Sequence, residues 1–432
     1  MKSDEGRVNF ILVDICSARA DHFGLYGYAR PTTPNIDGLA RESVVFDGAM
    51  SQSSWCLPNY ATLFTGQRPE AHGLCVNDAS RTLPASSELL AEGLRGAGYK
   101  TAAFSGGVYM LPAWGFARGF DVYVNKFSPA DPVRIPAPVD DNLPAVYDWL
   151  DARAKDKAPF FLYIAIDDTH TPYRADRPEM FDEGYAGPCD PETRTVPFAR
   201  AYSGQAAGYP DAVGRKATEF KKDIRHLAHH TAHYDAALHS ADERVGRVLR
   251  RLSKAGLDSS TMVVVTADHG EMLGEKGLLA HTEGLYEPIL RVPLVIRDPA
   301  LPGRAGARAR GIVERADIMP TILERAGAAP SPRQGAGQSF LELLRGHAPA
   351  SWREAGYASS KRNVPGIIDR FVDERALRGA RWKLVWSMNK KGFELYDLSA
   401  DGGETRDAAP ENPGIARDMA FSMLKEAERS RF

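Results

Sequence analysis

Carboxylates, imidazoles and cysteines recur directly behind apolar runs in this 432-residue chain. "VNFILVDICS" carries Asp14 and Cys16, "FLYIAIDDTHTPY" carries Asp167, Asp168 and His170, and "MVVVTADHGE" carries Asp268, His269 and Glu271. Oxygen and nitrogen donors that converge at one sheet edge form a divalent-metal site, in which carboxylates suit calcium or magnesium and imidazole admits zinc or manganese. One such aspartate alone would read as a helix cap or a turn residue. The same pattern at three strand ends points to a site. A fourth segment, "SQSSWCLPNYATLFTG", sets Cys56 before Leu57 and Pro58. A cysteine there is a core thiol, a metal ligand, a nucleophile or the precursor of a modified residue.

Positioning these groups falls to alternating strand-like and helix-like segments, the pattern of an α/β fold with a mostly parallel central sheet flanked by helices. "VNFILVDI", "YKTAAFS", "PFFLYIAI", "STMVVVTA" and "VPLVIR" read as strands. "SELLAEGLRGAG", "PAVYDWLDARAKD" and the long "RHLAHHTAHYDAALHSADERVGRVLRRLSKAG" read as helices. In open α/β sheets ligands bind where strands end, which is where the polar residues above fall. The stretch Arg174 to Gly214 is rich in Pro, Gly and charge and is expected to be an excursion beside the site. From about Ser351 short strand-like pieces, "RWKLVWSM" and "FELYDLS", precede a last helix. We therefore expect a catalytic domain over residues 1–350 and a small C-terminal α+β subdomain over 351–432.

Charge and composition narrow the partners. Lys+Arg 54 against Asp+Glu 56 gives a net charge of -2, so neither nucleic acid nor an anionic membrane is expected as a partner. Runs such as "PFFLYIAI" are too short to cross a bilayer. The acidic start "MKSDEG" does not resemble a signal peptide, and four cysteines do not make a disulfide framework. Both observations lead us to expect a cytoplasmic location. Cys75 and Cys189 fall outside the motifs and are assigned no chemistry. Five histidines on the long helix, among them His229 and His233 with Asp235 nearby, are read as solvated or packing residues rather than a second metal site.

Several segments together carry a family likeness. "RADHFGLYGYARPTTPNIDGLARESVVFDGAM", "CLPNYATLFTGQRPEAHG", "DDTHTPY", "VVTADHGEMLGEKGLLAHTEGLYEPILRVPLVIR", "RADIMPTILERAG" and "FELYDLSADGGETRD" resemble the landmarks of the sulfatase family, within the alkaline phosphatase superfamily. The likeness spans nearly the whole chain. It implies an alkaline phosphatase-like fold and a metal-dependent hydrolase of a small-molecule sulfate, phosphate or phosphonate ester. It also implies one divalent ion, calcium foremost, with magnesium, manganese, zinc or iron as alternatives. In sulfatases the cysteine of a C-x-P-x-R motif becomes formylglycine, made by a formylglycine-generating enzyme, so Cys56 takes the nucleophile's place.

Three departures from the family pattern bear on the chemistry. Tyr60 stands where the motif arginine belongs, which sets conversion of Cys56 against a bare thiolate; Tyr60 itself becomes a candidate substrate contact. Alignment on Arg19, Asp21 and His22 puts Cys16 where the first metal aspartate is expected, with Asp14 two residues early. Either Asp14 joins Asp268 and His269 in a hard site, or Cys16 joins Cys56, Asp268 and His269 in a softer one that prefers zinc or iron. Because strand side chains alternate, Asp14 and Cys16 share a face, and a bulge would let Asp14 serve. A disulfide between Cys16 and Cys56 is a third arrangement. The family's GK-x-H element is absent around Gly106 and Tyr109, which leaves charge stabilisation to His170, His281 and Arg68. His170 and His281 are the expected general acid and anion binder. Two further readings compete with the hydrolase: a repurposed enzyme with a cysteine-containing metal site, and a non-catalytic binding protein that keeps the fold.

Overall fold

The computed structural model describes residues 7–76, 80–127, 139–156, 158–171, 173–182, 224–281, 284–329, 335–364 and 368–430. Cys189 and most of the Arg174–Gly214 excursion lie outside them. Eight strands form the central sheet: β1 (Asn9–Ile15), β2 (Val44–Met50), β3 (Lys100–Ser105), β4 (Val122–Asn125), β5 (Phe160–Ile166), β6 (Thr261–Thr266), β9 (Leu294–Arg297) and β10 (Arg308–Glu314), while β7 (Met272–Leu273) and β8 (Leu279–Ala280) pair with each other as a small hairpin outside it. Their order is β10-β2-β9-β6-β1-β5-β3-β4. Every pairing is parallel except those of β9, which runs antiparallel to both β2 and β6.

The strands that matter are the three at the centre. Every residue of β1, β5 and β6 is buried, as befits predominantly apolar strands covered on both faces, and Asp14 is the one charged residue among them. They lie side by side as β6-β1-β5 and point the same way, so "DICS", "DDTH" and "ADHG" leave the sheet at one edge. Pairing of β1 with β5 runs unbroken from Phe10↔Phe161 to Ile15↔Ile166, with no bulge at Asp14. One further bond, from the Cys16 amide to the Ile166 carbonyl at 2.8 Å, prolongs it past the strand.

Helices cover this sheet. The 31-residue helix Ile224–Lys254 uses Asp242 to accept the Asn35 and Ile36 amides at 2.9 and 2.8 Å, capping the short helix Pro34–Ala40 of the "TPNIDGLA" segment. Helix Cys56–Thr65 is buried at every position and ends on Gly66, whose φ of 65° terminates it in the left-handed region. The chain closes with an antiparallel sheet of β11 (Ala355–Val364), β12 (Ile368–Gly379), β13 (Trp382–Ser387) and β14 (Gly392–Asp397). Helix Pro413–Arg429 packs on it through Met423 against Tyr357, Leu377, Leu384 and Leu395. A mixed apolar cluster joins the two sheets, with Met50, Leu285, Ile289 and Ile312 on one side and Ala358, Ala376, Val385 and Tyr396 on the other. No helix among the described residues is long and apolar enough to cross a membrane.

Candidate active site

Cys56 is the first residue of its helix, so its sulfur sits where the unsatisfied amides and the positive end of the helix dipole favour an anion. Cys16, from the end of β1, places its sulfur 3.7 Å from that of Cys56 and 3.2 Å from Asp268 Oδ2. His269 Nε2 approaches the Cys56 sulfur to 3.3 Å and Asp268 Oδ2 to 3.4 Å. Donor atoms of Cys16, Cys56, Asp268 and His269 all fall within 4.8 Å of one another, and so do those of Cys56, His170 and His281. Cys56 is common to both groups. His170 and His281, at 7% and 5% exposure, are the outermost of the six, while Asp268 and His269 are fully buried.

Each side chain is oriented from behind. Asp268 Oδ1 accepts the Ser17 and His269 amides, both at 2.8 Å, which leaves Oδ2 to face the sulfurs. Carbonyls can only accept, so the bonds to Gly270 O (2.7 Å) and Thr171 O (2.6 Å) fix the proton on Nδ1 of His269 and His170 and turn Nε2 inward. His281 has its Nδ1 on Glu271 Oε2 at 2.8 Å. The turn carrying Cys16 is held by Tyr234, whose hydroxyl donates to Ser17 O and accepts the Arg19 amide, both at 2.8 Å. Ser17 has a φ of 61°, a left-handed conformation uncommon for a residue with a Cβ and sustained here by those contacts.

These surroundings decide where protons sit. Burial pushes the Cys56 thiol up, but the hydrogen bond from Cys16 and the charges on His269 and His170 outweigh it and hold Cys56 well below the ordinary thiol range. Burial, the Cys56 contact and Asp268 hold Cys16 well above it. Burial would lower His269, yet Asp268 and Cys56 raise it to about 9. His170 is likewise raised, with Cys56 overcoming burial, and His281 is raised by Glu271. Burial lifts Asp167 to about 7 and Asp268 to about 6. With no cation between them, these surroundings favour the Cys56 thiolate and the protonated forms of His269, His170 and His281.

Two of the expected residues lie elsewhere. Asp14 does share a face with Cys16, but without a bulge it stays one layer deeper, where Arg315 binds both of its oxygens and Tyr163 donates to it at 3.1 Å. Its carboxylate is not among the converging donors. Arg68 forms ion pairs with Glu314 and Glu426, both at 2.7 Å, and bonds Ser430, so it is a strut under the C-terminal helix rather than a contact of the site. Tyr60 is buried within electrostatic reach of Cys16, Asp268 and Asp167, with its ring 6.5 Å from that of Phe116. Among the helix residues His229 pairs with Asp182, His233 with Tyr173 O, and Asp235 with His22, Tyr28 and Arg30, so they form no common centre. Cys16 and Cys56 are free thiols.

Arg315 and the support role of Glu271 were not anticipated. Arg315 opens the "RADIMPTILERAG" landmark, which was the available signal, but its reach across the sheet to Asp14 depends on the tertiary fold. Glu271 was visible as a strand-end carboxylate, whereas its partner His281 lies ten residues on, across the small hairpin Met272–Ala280.

An α/β sheet with an acid-imidazole-cysteine cluster at the carboxyl ends of its central strands defines a hydrolase-like alkaline phosphatase-type scaffold. The chain belongs to the sulfatase family: the Sulfatase profile matches residues 8–328, and that of the N-sulphoglucosamine sulphohydrolase C-terminal region matches 274–428. It is 26% identical over 371 residues to an ulvan-active sulfatase of Formosa agariphila, covering 80% of this chain and 66% of that protein. Identity is 27% over 395 residues with a multifunctional alkaline phosphatase superfamily protein of Trinickia caryophylli, covering 77% of this chain and 75% of the relative. The phosphonate monoester hydrolase of Agrobacterium radiobacter superposes with a TM-score of 0.77 at 22% identity, over 98% of this chain and 96% of the other.

Proposed function

We propose that the chain hydrolyses a small-molecule sulfate ester, or a phosphate or phosphonate ester of the same shape, with residue 56 as nucleophile. The observation that carries this reading is the placement of the Cys56 sulfur at a helix amino end, 3.3 Å from His269 Nε2 and within reach of His170 and His281. As a thiolate, Cys56 attacks sulfur or phosphorus in line with the ester oxygen. The bond to that oxygen breaks, and His170 or His281 gives it a proton. The histidine that gave its proton then takes one from water, whose oxygen attacks the same sulfur or phosphorus; the bond to Cys56 breaks, the thiolate is restored, and sulfate, phosphate or phosphonate leaves, while Glu271 steadies the charge that His281 carries whenever it is protonated. Were residue 56 formylglycine, its hydrated aldehyde would supply the attacking oxygen, and collapse to the aldehyde would expel the anion. The same imidazoles face the nucleophile in either form. Extension to phosphorus esters draws support from the multifunctional relative.

The test uses the full chain with 4-nitrophenyl sulfate and 4-nitrophenyl phenylphosphonate, alongside Cys56→Ala and His281→Asn. Turnover of either ester that disappears in Cys56→Ala is expected. The mass of the unreduced Cys56 peptide, from the same preparation, separates thiol from aldehyde. Equal turnover in Cys56→Ala would overturn the assignment.

A further inference from the structure

The family likeness implies a hard divalent ion, calcium foremost, and the donor set here does not fit one. Calcium takes about six to eight oxygens. The converging atoms are two sulfurs, one carboxylate oxygen and one imidazole nitrogen, and Asp14, the second oxygen donor that a hard site would need, is bound by Arg315. We propose that Cys16, Cys56, Asp268 and His269 bind a single thiophilic d-block cation, zinc by preference, in a four-coordinate site. This rests on the proposed function and deepens it by naming the ion of that same site, and it requires Cys56 to persist as an unmodified cysteine that binds as its thiolate.

Distances between the donors support the assignment. A tetrahedral zinc with Zn–S of about 2.3 Å and Zn–N and Zn–O of about 2.0 Å sets S···S near ~3.8 Å, S···N and S···O near ~3.5 Å, and N···O near ~3.3 Å. The corresponding separations are 3.7 Å for Cys16–Cys56, 3.3 Å for Cys56–His269, 3.2 Å for Cys16–Asp268 and 3.4 Å for Asp268–His269. The supporting bonds are also those a metal ligand needs. His269 donates Nδ1–H to Gly270 O, so its Nε2 lone pair faces the centre, and Asp268 spends Oδ1 on two amides while Oδ2 faces the sulfurs. A soft sulfur pair with one nitrogen and one oxygen selects zinc or iron(II) over calcium and magnesium.

The experiment measures metal on the full chain, grown with added zinc and purified without chelator, and repeats it after exchange with cobalt(II). One zinc per chain is expected, and the cobalt form should show thiolate-to-cobalt charge transfer. Cys16→Ser should lose about half of that band, because one of two thiolates is gone. Cys16→Asp should shift binding from zinc toward calcium or magnesium. A chain that is folded by circular dichroism yet retains neither zinc nor cobalt would reduce the cluster to hydrogen-bonded thiols and overturn the inference. So would an undiminished band in Cys16→Ser, or calcium bound beside formylglycine at position 56. Ester turnover is assayed on the same material. Zinc without turnover sinks only the hydrolase reading, and turnover without a d-block ion sinks only this one.

Discussion

At the scale of single residues, Asp14 and Glu271 are two buried carboxylates with opposite expected consequences. Asp14 and Arg315 are both fully buried, so Asp14→Asn strips the guanidinium of its counter-charge. Removing one partner of a buried pair costs about 3–5 kcal/mol, and urea denaturation should show a loss of that order. Metal content of the surviving folded protein should be unchanged, because Asp14 is not a donor. Loss of metal with full stability would restore Asp14 to the site. Glu271→Gln should act on catalysis instead. Burial lowers His281 and Glu271 raises it, so neutralising Glu271 lets the His281 pKa fall. With His281 as general acid, the alkaline limb of the kcat/KM profile moves to lower pH, and kcat drops at least about tenfold. A limb that stays in place would leave His170 as the acid.

At the scale of elements, helix Cys56–Thr65 is held by its neighbours. It stacks on the short helix Pro69–His72 through the Thr62 hydroxyl, which lies 3.2 Å from His72 Nε2, while His72 Nδ1 accepts the Leu74 amide at 3.1 Å. That amide fixes the proton on Nε2, and burial lowers the His72 pKa to about 3. The sign follows directly. Below about pH 6.5 the unfolded chain takes a proton that the folded imidazole refuses, so stability falls with pH, by about 2 kcal/mol at pH 5. Buried Asp167 and Asp268, raised to about 7 and about 6, shift stability the other way, so wild type alone would hide the effect. The difference between His72→Gln and wild type isolates it. Urea midpoints should show the variant's deficit shrinking by about 2 kcal/mol from neutral pH to about pH 5. A constant deficit would mean that His72 titrates equally in both states.

Legibility in the sequence follows the same physics. Strands β1, β5 and β6 were readable because full burial demands unbroken apolar runs, and the polar residues after them were readable because they break those runs. Strand β2, "VVFDGAM", and β10, "RARGIVE", carry polar and glycine residues that blur the pattern. The antiparallel direction of β9 leaves no mark, since "LVIR" looks alike either way. Cys16 was legible as the alternative to Asp14, but which of the two faces Cys56, Asp268 and His269 rested on strand register and on Arg315, which are contacts between distant segments.

For the whole molecule the question is what the second sheet contributes to a site built on the first. Strand β11 lies along the approach to Cys56: the Ser359 amide donates to Gln52 O at 2.8 Å, and the Ser360 and Ser54 hydroxyls meet at 2.7 Å. Arg362, on the same strand and only 6% exposed, donates to the His281 carbonyl at 2.9 Å and lies 5.0 Å over the ring of Trp55, the residue before Cys56. One guanidinium thus spans the backbone of the expected acid and the cap of the helix that carries Cys56, although nothing in "SSKRNV" announces it. Arg362→Met keeps an apolar stem over Trp55 and loses the bond to His281. A hydrogen bond to a charged group is worth about 1.5–3 kcal/mol, so misplacing His281 by its loss should lower kcat about tenfold or more. Metal binding should persist, since Arg362 is not one of the four proposed donors. Steady-state kinetics with metal analysis on one preparation decide the matter: an unchanged kcat would make the second sheet a lateral support, and a tenfold loss with metal retained would make it one wall of the site.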